Sequence, residues 1–339
     1  METALRTPVS EANGIIATMV SRPMVSVITP AYNVAPYIGQ CIESVQAQTL
    51  SDWEMLIVDD ASTDETPAVV QRYLGDPRIR YLRNEQNLGP GATRNRALDA
   101  ARGEWIAVLD ADDWIVPERL ERLVAFAQAQ GVEMVADLQV YWTEWESVYH
   151  VGWATYARPP KRPCKYSVEA IIRAHPAFKP LIRADFLNRH SIRYAAHIRK
   201  SQDYAFYLES LIKGARFALL PQPMYYYRVH RDTVTTRYDA LVEEHKSLEY
   251  LLGLPETTPC QAKWLQRAFR RRKAYILYPQ FAASVKRGAW KDAYQLFRCA
   301  PRVGWLLITG LPGALYRRLF DREKLIDPWR ETIQREVHR

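Results

Sequence analysis

The sequence predicts an α/β chain built on a mainly parallel sheet, and two observations carry that expectation. Between Met24 and Asp110, short apolar runs alternate with stretches whose apolar residues recur at helical spacing. That alternation is the pattern of parallel strands joined by crossover helices. Three of the runs also end on Pro30, Asp60 and Asp110. In such sheets ligands bind outside the carboxyl ends of the strands, so these three positions are expected to converge on one crevice.

The elements follow in order. "MVSVITPAYN" (24–33) is a first strand, and "VAPYIGQCIESVQAQT" a helix with Ile38, Ile42 and Val45 on one face. "WEMLIVDDAST" is a second strand. Ser62, Thr63 and Asp64 then supply capping side chains for a helix through "DETPAVVQRYLG". "IRYLRN" is a third, more polar strand, "GPGATRNRALDAAR" a helix with a glycine-rich entry, and "WIAVLD" a fourth strand. After Gly131 the texture turns aromatic and alternating. Helices are expected at "SVEAIIRA" and "SQDYAFYLESLIKG", and "ARFALLPQPMYYYRVH" reads as a pair of strands. Beyond Asp239 the pattern is mostly helical. The expected organisation is a flexible leader at 1–22, a two-part domain at 23–238 (23–130 and 131–238), and a basic helical extension at 239–339.

The 339 residues are 48% hydrophobic and 25% charged, an ordinary globular composition. Four widely separated cysteines form no CxxC pair, which fits a reducing, cytosolic setting. The N-terminus lacks a basic start followed by an apolar core, so no signal peptide is expected. The longest late apolar run, Val303–Leu315, has 13 residues and contains Pro312. A bilayer span takes ~20, so no transmembrane helix is expected. Charge is uneven: from Asp239 onward there are 19 Lys and Arg against 11 Asp and Glu, whereas the remainder has 27 of each. The whole net charge of +8 therefore sits in the extension, as in a segment that seeks an anionic surface. The competing reading is a solvated helical face.

The chemistry concentrates in "GEWIAVLDADDWIVPERL" (103–120), where a buried run ends on Asp110, Asp112 and Asp113. Carboxylates so close repel unless a cation sits among them. Alternate residues of extended chain face the same way, so Asp110 and Asp112 can address one ligand. Oxygen donors suit Mg²⁺ or Mn²⁺, and an ion held by one or two carboxylates keeps positions open for phosphate oxygens. The expected cation is thus a divalent metal holding a nucleotide diphosphate. Asp113 is read as the cap of the following helix. Of Asp59 and Asp60, one can accept from a base N–H and the other serve the turn. Arg94 offers a fork of charge-assisted donors to a diphosphate. Gly89-Pro90-Gly91-Ala92-Thr93-Arg94 nearly spells a dinucleotide fingerprint, but arginine in place of the third glycine defeats close helix–strand packing.

In this order and spacing, "VSVITPAYN", "LIVDDASTD", "NLGPGATRNRAL" and "WIAVLDADDWIVPERL" resemble family 2 glycosyltransferases of GT-A fold. "SQDYAFYLESLIKGARFALLPQPMYYYRVH" resembles the acceptor half of the same family. The match covers roughly 24–235 and is similar in particular to bacterial succinoglycan-type glucosyltransferases of exopolysaccharide assembly. The resemblance implies a Rossmann-like central sheet and inverting, Mn²⁺- or Mg²⁺-dependent transfer from a nucleotide sugar, with a UDP-hexose the expected donor. Pro30 and Tyr32 are implied to flank the base and Asp60 to hydrogen-bond it. Arg94 is implied near the ribose and diphosphate. Asp110-Ala111-Asp112 corresponds to the DxD motif, with Asp112 the direct metal ligand, and Asp203 to the general base. The chain departs from the family at Gln202, where Glu is usual, and at Thr93 and Ala97. It lacks the Gln-x-x-Arg-Trp motif of processive synthases, which implies one sugar added per encounter.

Three further expectations attach to this reading. His230 is a candidate additional metal ligand, against the simpler reading of a structural histidine. Tyr141, Trp142, Trp145, Tyr149, Trp153 and Tyr156 can form a stacking wall for an acceptor sugar, or merely pack as strand residues. The basic extension, with Arg270, Arg271, Arg272, Lys273, Arg317 and Arg318 among aromatics, suits a lipid-linked acceptor and an anionic membrane surface at the cytoplasmic face. The rivals are a nucleotidyltransferase, which would need a glycine-rich phosphate loop that "TPAYNVAPY" lacks, and a non-catalytic nucleotide-sugar binder. A nucleic-acid partner is not expected, because no binding motif accompanies the local basic excess.

Overall fold

A computed structural model describes residues 22–143, 149–152, 160–174, 176–229 and 237–303. In chain order the elements are β1 (Val25–Ala31), α1 (Ile38–Gln46), β2 (Trp53–Asp59), α2 (Thr66–Gln71), β3 (Ile79–Arg83), α3 (Pro90–Ala100), β4 (Trp105–Val108), β5 (Trp114–Ile115) and α4 (Arg119–Gln130). There follow β6 (Met134–Thr143), β7 (Tyr149–Gly152), β8 (Cys164–Tyr166), α5 (Val168–Ala174), β9 (Leu181–Arg183), α6 (Ala184–Arg189), α7 (Gln202–Ile212) and β10 (Phe217–Val229). The last helices are α8 (Arg237–Leu252), α9 (Pro259–Lys286) and α10 (Trp290–Cys299).

Among the described residues the strands form one sheet in the order β3-β2-β1-β4-β9-β6-β10-β5, with β7 on β6 and β8 on β10. The first four strands are mutually parallel. Every residue of β2 is buried, as expected of a parallel strand covered on both faces. Leu56 and Val58 join Ile28, Ile106 and Val108 on one face, against Ala97 and Leu98 of α3 and Phe206 of α7. Met55 and Ile57 join Val25, Val27 and Ala107 on the other, against Ile38, Ile42 and Val45 of α1 and Leu120, Leu123 and Ala127 of α4. Each such aliphatic side chain contributes about 1.5–3 kcal/mol on burial, so the period-two alternation fixes which face each strand presents. Gly103, just before β4, meets the backbone of β1 so closely that a Cβ would lie 2.4 Å from the Ser26 nitrogen.

β9 runs antiparallel to both β4 and β6 and so joins the parallel block to the second half of the sheet. β10 runs parallel to β6 and antiparallel to β5 and β8. Here the structure corrects the sequence reading: 217–229 is one long strand, not a pair. The segment with Pro221 and Pro223 is absorbed as register shifts between Leu219 and Pro223 and between Pro223 and Tyr225. The capping triplet before α2 also divides its work. Asp64 accepts from the Thr66 N–H at 3.0 Å, while Ser62 Oγ accepts from the Asn33 N–H at 3.0 Å and ties two loops together.

The described part of the C-terminal region, residues 237–303, is mostly helical. α9 opens with a full capping box between Thr258 and Gln261. No helix among the described residues is long and apolar enough to cross a membrane. Residues 1–21 of the leader, His230, Trp145, Trp153, Tyr156 and the stretch with Arg317 and Arg318 lie outside the described residues.

Candidate active site

The carboxyl ends of β1, β2 and β4 open on a cavity of about 240 Å³. All seven residues expected at the nucleotide, from Pro30 and Tyr32 through Asp60 and Arg94 to Asp110, Ala111 and Asp112, line it. Tyr32 is 47% exposed at its rim. Asp60 is buried and accepts from the Leu88 and Gly89 N–H groups at 2.9 and 2.8 Å and from Asn84 Nδ2 at 2.7 Å. Its carboxylate thereby shapes the loop into α3, where Gly89 has φ +85°, a conformation open to glycine at little cost. Asp59 serves the turn, accepting from the Ser62 N–H at 2.8 Å and the Tyr81 hydroxyl at 2.5 Å. Burial, with that bond to Asp59, pushes the Tyr81 phenol up to about 12.

Asp110 answers the question of charge repulsion. Arg94 Nη2 lies 2.5 Å from its Oδ1, and Lys179 Nζ lies 2.7 Å from its Oδ2. The same ammonium reaches Asp203 Oδ2 at 2.5 Å, and Arg94 Nη1 lies 3.4 Å from Asp203 Oδ1. Two cations and two carboxylates therefore alternate in a closed ring that brings Asp203, from the first turn of α7, to the DxD segment. Burial alone would raise the Asp110 carboxyl, but the charges of Lys179 and Arg94 overcome it and hold it well below the usual carboxylate range. Burial would likewise depress Lys179, and Asp110 and Asp203 reverse that and raise it. Two side-chain cations thus face Asp110.

Lys179 was not anticipated. It lies at the entry to β9, 24 residues before Asp203 in sequence, and no local motif marks it. What places it is a buried ion pair. Arg119, whose side chain is 1% exposed like that of its partner Asp137, donates to Asp137 through Nε and Nη2 at 2.9 and 2.8 Å. Its Nη2 also donates to the Lys179 carbonyl at 2.6 Å. Burial raises the Asp137 carboxyl, an effect the Arg119 charge opposes.

Asp113 is not a helix cap. It is buried and accepts from the Tyr225 hydroxyl at 2.6 Å and the Arg228 N–H at 2.8 Å, both on β10. Burial, then the charges of Asp112 and Asp110, raise it well above the ordinary value. Arg228 donates from Nε to the Asp112 carbonyl at 2.9 Å and from Nη2 to Gln40. Its guanidinium lies among the rings of Tyr37, Trp114 and Trp142, 4.8–5.0 Å from their centroids. The long aromatic strand therefore pins the acidic turn. Of the expected acceptor wall, Tyr141 lies 5.4 Å from Tyr227 and Trp142 meets Trp114 edge-on at 5.4 Å.

The donor set bears on a divalent ion. Asp110 has both oxygens engaged by side-chain cations, and Asp112 lines the cavity two residues on. No cluster of three His, Cys, Asp or Glu side chains is arranged for a metal among the described residues. One carboxylate at a cavity edge nonetheless fits Mg²⁺ or Mn²⁺, which take their remaining ligands from phosphate and water.

The acidic turn after β4 and the aspartate opposite it thus meet at the carboxyl ends of the parallel strands, where ligands of such sheets bind. The family model for glycosyl transferase family 2 matches residues 26–186. The succinoglycan biosynthesis protein ExoO of Rhizobium meliloti is 31% identical over 283 residues, 80% of this chain and 81% of that protein. ExoU of the same organism is 31% identical over 58% of this chain and 59% of its own. The fold is similar to TarS of S. aureus in complex with UDP-GlcNAc, with a TM-score of 0.65 at 21% identity, over 82% of this chain and 81% of that one. It is also similar to the mannosyltransferase PcManGT of Pyrobaculum calidifontis in complex with GDP-Man and Mn²⁺, with a TM-score of 0.59 at 19% identity, over 89% of each chain. The chain belongs to glycosyltransferase family 2, with a GT-A fold, and resembles the succinoglycan-type enzymes.

Proposed function

We propose that the protein is an inverting hexosyltransferase of bacterial surface or exopolysaccharide assembly, using a UDP-sugar donor and a glycan acceptor on a lipid carrier. The observation that carries the reading is the ring of Arg94, Asp110, Lys179 and Asp203, which joins an aspartate at the start of α7 to the acidic edge of the cavity. The UDP-GlcNAc named with TarS and the polysaccharide named with ExoO support the donor and pathway class.

In this reading Pro30 and Tyr32 flank the base, and Asp60 holds the base-side loop while addressing the base edge. Arg94 faces the diphosphate, and Asp112, with Asp110 beside it, is the metal-binding position. A bound Mn²⁺ or Mg²⁺ supplies Lewis-acid stabilisation of charge on the diphosphate. Asp203 keeps 23% of its side chain exposed; its Oδ2 is held by Lys179 and its Oδ1 has no hydrogen-bond partner among the described residues. It takes the hydroxyl proton as the oxygen attacks the anomeric carbon; the bond from that carbon to the diphosphate breaks, and the electron pair leaves with the nucleotide. Lys179 orients Asp203 and shares the charge of Asp110.

Residues 23–238 form the catalytic unit. Residues 239–339 form an extension that contacts the anionic inner face of the cell membrane, where a lipid-linked acceptor is presented. The test is a panel of UDP-, GDP- and TDP-sugars with Mn²⁺ or Mg²⁺, read as release of free nucleoside diphosphate, with EDTA as control. Chelator-sensitive release from one UDP-sugar is expected. Release unaffected by EDTA removes the metal, and binding of no nucleotide sugar removes the reading.

A further inference from the structure

We infer that α10 is the membrane-contacting element of the extension, lying in the interface of an anionic bilayer through an aromatic stripe flanked by cations. This rests on the membrane contact proposed above and assigns it to particular residues.

α10 has two unlike faces. Ala293 is buried and, with Leu296 and with Ala300 and Val303 just beyond the helix end, packs against Phe281 and Tyr278 of α9. Away from that contact, Trp290, Tyr294 and Phe297 are 67%, 63% and 41% exposed, three of the five large hydrophobic side chains so exposed among the described residues. At 3.6 residues per turn their spacing confines them to a stripe about 60° wide. Lys291 and Arg298 are exposed as well, and the same geometry sets them in a second stripe along one edge of the first; Arg302, also exposed, follows just beyond the helix end. Asp292, the one acidic residue of the helix, falls on the far side of the cationic stripe.

An exposed stripe of three aromatics is the kind of apolar patch that marks a membrane or partner contact. The adjoining cations decide which partner. Aromatic rings enter the headgroup boundary while Lys and Arg extend to anionic phosphates, and the two signals together give stable surface binding. A second copy of this chain is the competing occupant; an antiparallel isologous contact through this face would set both cationic stripes along the same edge. The whole net charge of +8 lies in the sequence that contains α10, and an anionic surface complements it.

The experiment uses the full chain and vesicle flotation, with phosphatidylcholine alone or with phosphatidylglycerol at three to one. The variants are W290S/Y294S/F297S and K291Q/R298Q/R302Q, all on the outer surface and remote from the cavity. Circular dichroism checks that they fold, and nucleotide-sugar binding that the donor site is intact. The wild type is expected to float with the anionic vesicles and to be released by salt. The aromatic variant is expected to lose ~10-fold or more of its partitioning, and the charge variant to lose salt sensitivity along with affinity. If the aromatic variant floats like the wild type, the assignment to α10 fails while membrane contact by the extension stands. If the wild type does not float, both fail. If instead the wild type sediments as a dimer that the aromatic variant dissociates, the face is a contact between copies and the inference is overturned.

Discussion

Replacing Arg119 by methionine is the sharpest test of how the site is held. Both side chains of the Arg119–Asp137 pair are 1% exposed, so solvent screening offers no relief. The substitution leaves Asp137 buried without its cation and removes the donor at 2.6 Å from the Lys179 carbonyl. Breaking such a pair costs about 3–5 kcal/mol. Because burial already raises the Asp137 carboxyl, the acid takes up a proton in the variant, and the cost falls at about 3 kcal/mol. The double variant R119M/D137L fills the same space with apolar groups and is expected within about 1 kcal/mol of the wild type. Turnover should divide from stability. Lys179 keeps its ammonium in the double variant but loses its backbone anchor, and misplacement of the Asp203 partner is expected to slow transfer about 10-fold or more. Urea unfolding gives the first quantities and nucleoside diphosphate release the second. A single variant that costs under about 1 kcal/mol, or a double variant with full turnover, refutes the reasoning.

Other outcomes follow from the same geometry. K179M leaves Asp110 and Asp203 sharing Arg94; with those carboxylates 20% and 23% exposed, the loss is about 2 kcal/mol, read by urea unfolding. D112A is expected to weaken UDP-sugar binding at least ~10-fold in Mn²⁺ and to leave the residual affinity in EDTA unchanged, measured by calorimetry. Burial would raise Glu54, but bonds from Ser26 Oγ, Arg102 and Arg80 outweigh it and hold the carboxyl below its ordinary value of 4.5. The native state therefore gives up that proton more readily than the unfolded chain. Its stabilising contribution is complete above about pH 4.5 and is lost as pH falls through the folded value. E54Q should flatten that part of the stability–pH curve and cost about 2 kcal/mol at neutral pH.

The parallel half of the fold was legible because β1, β2 and β4 are largely apolar runs and α1 keeps a helical period, so local pattern and tertiary burial agree. β10 was not, because Pro221 and Pro223 signal a turn locally while the long pairing with β6 overrides them. The crevice was legible from strand ends alone. Asp113 was misread because a carboxylate before "PERL" is an ordinary cap, and its partners Tyr225 and Arg228 lie more than 100 residues away. Lys179 stayed hidden for the same reason. A lysine before a proline carries no chemical signal until β9, inserted antiparallel beside β4, brings it against Asp110.

The central claim is that Asp203 moves the acceptor proton and does not build the donor site. The direct measurement is D203N beside the wild type, with one preparation read twice: UDP-sugar affinity by calorimetry in Mn²⁺, and transfer or hydrolysis rate under the same conditions. The account predicts affinity within a few-fold of the wild type and a rate lower by about 10²–10⁴. A variant that turns over at the wild-type rate, or one that loses donor binding along with turnover, contradicts it.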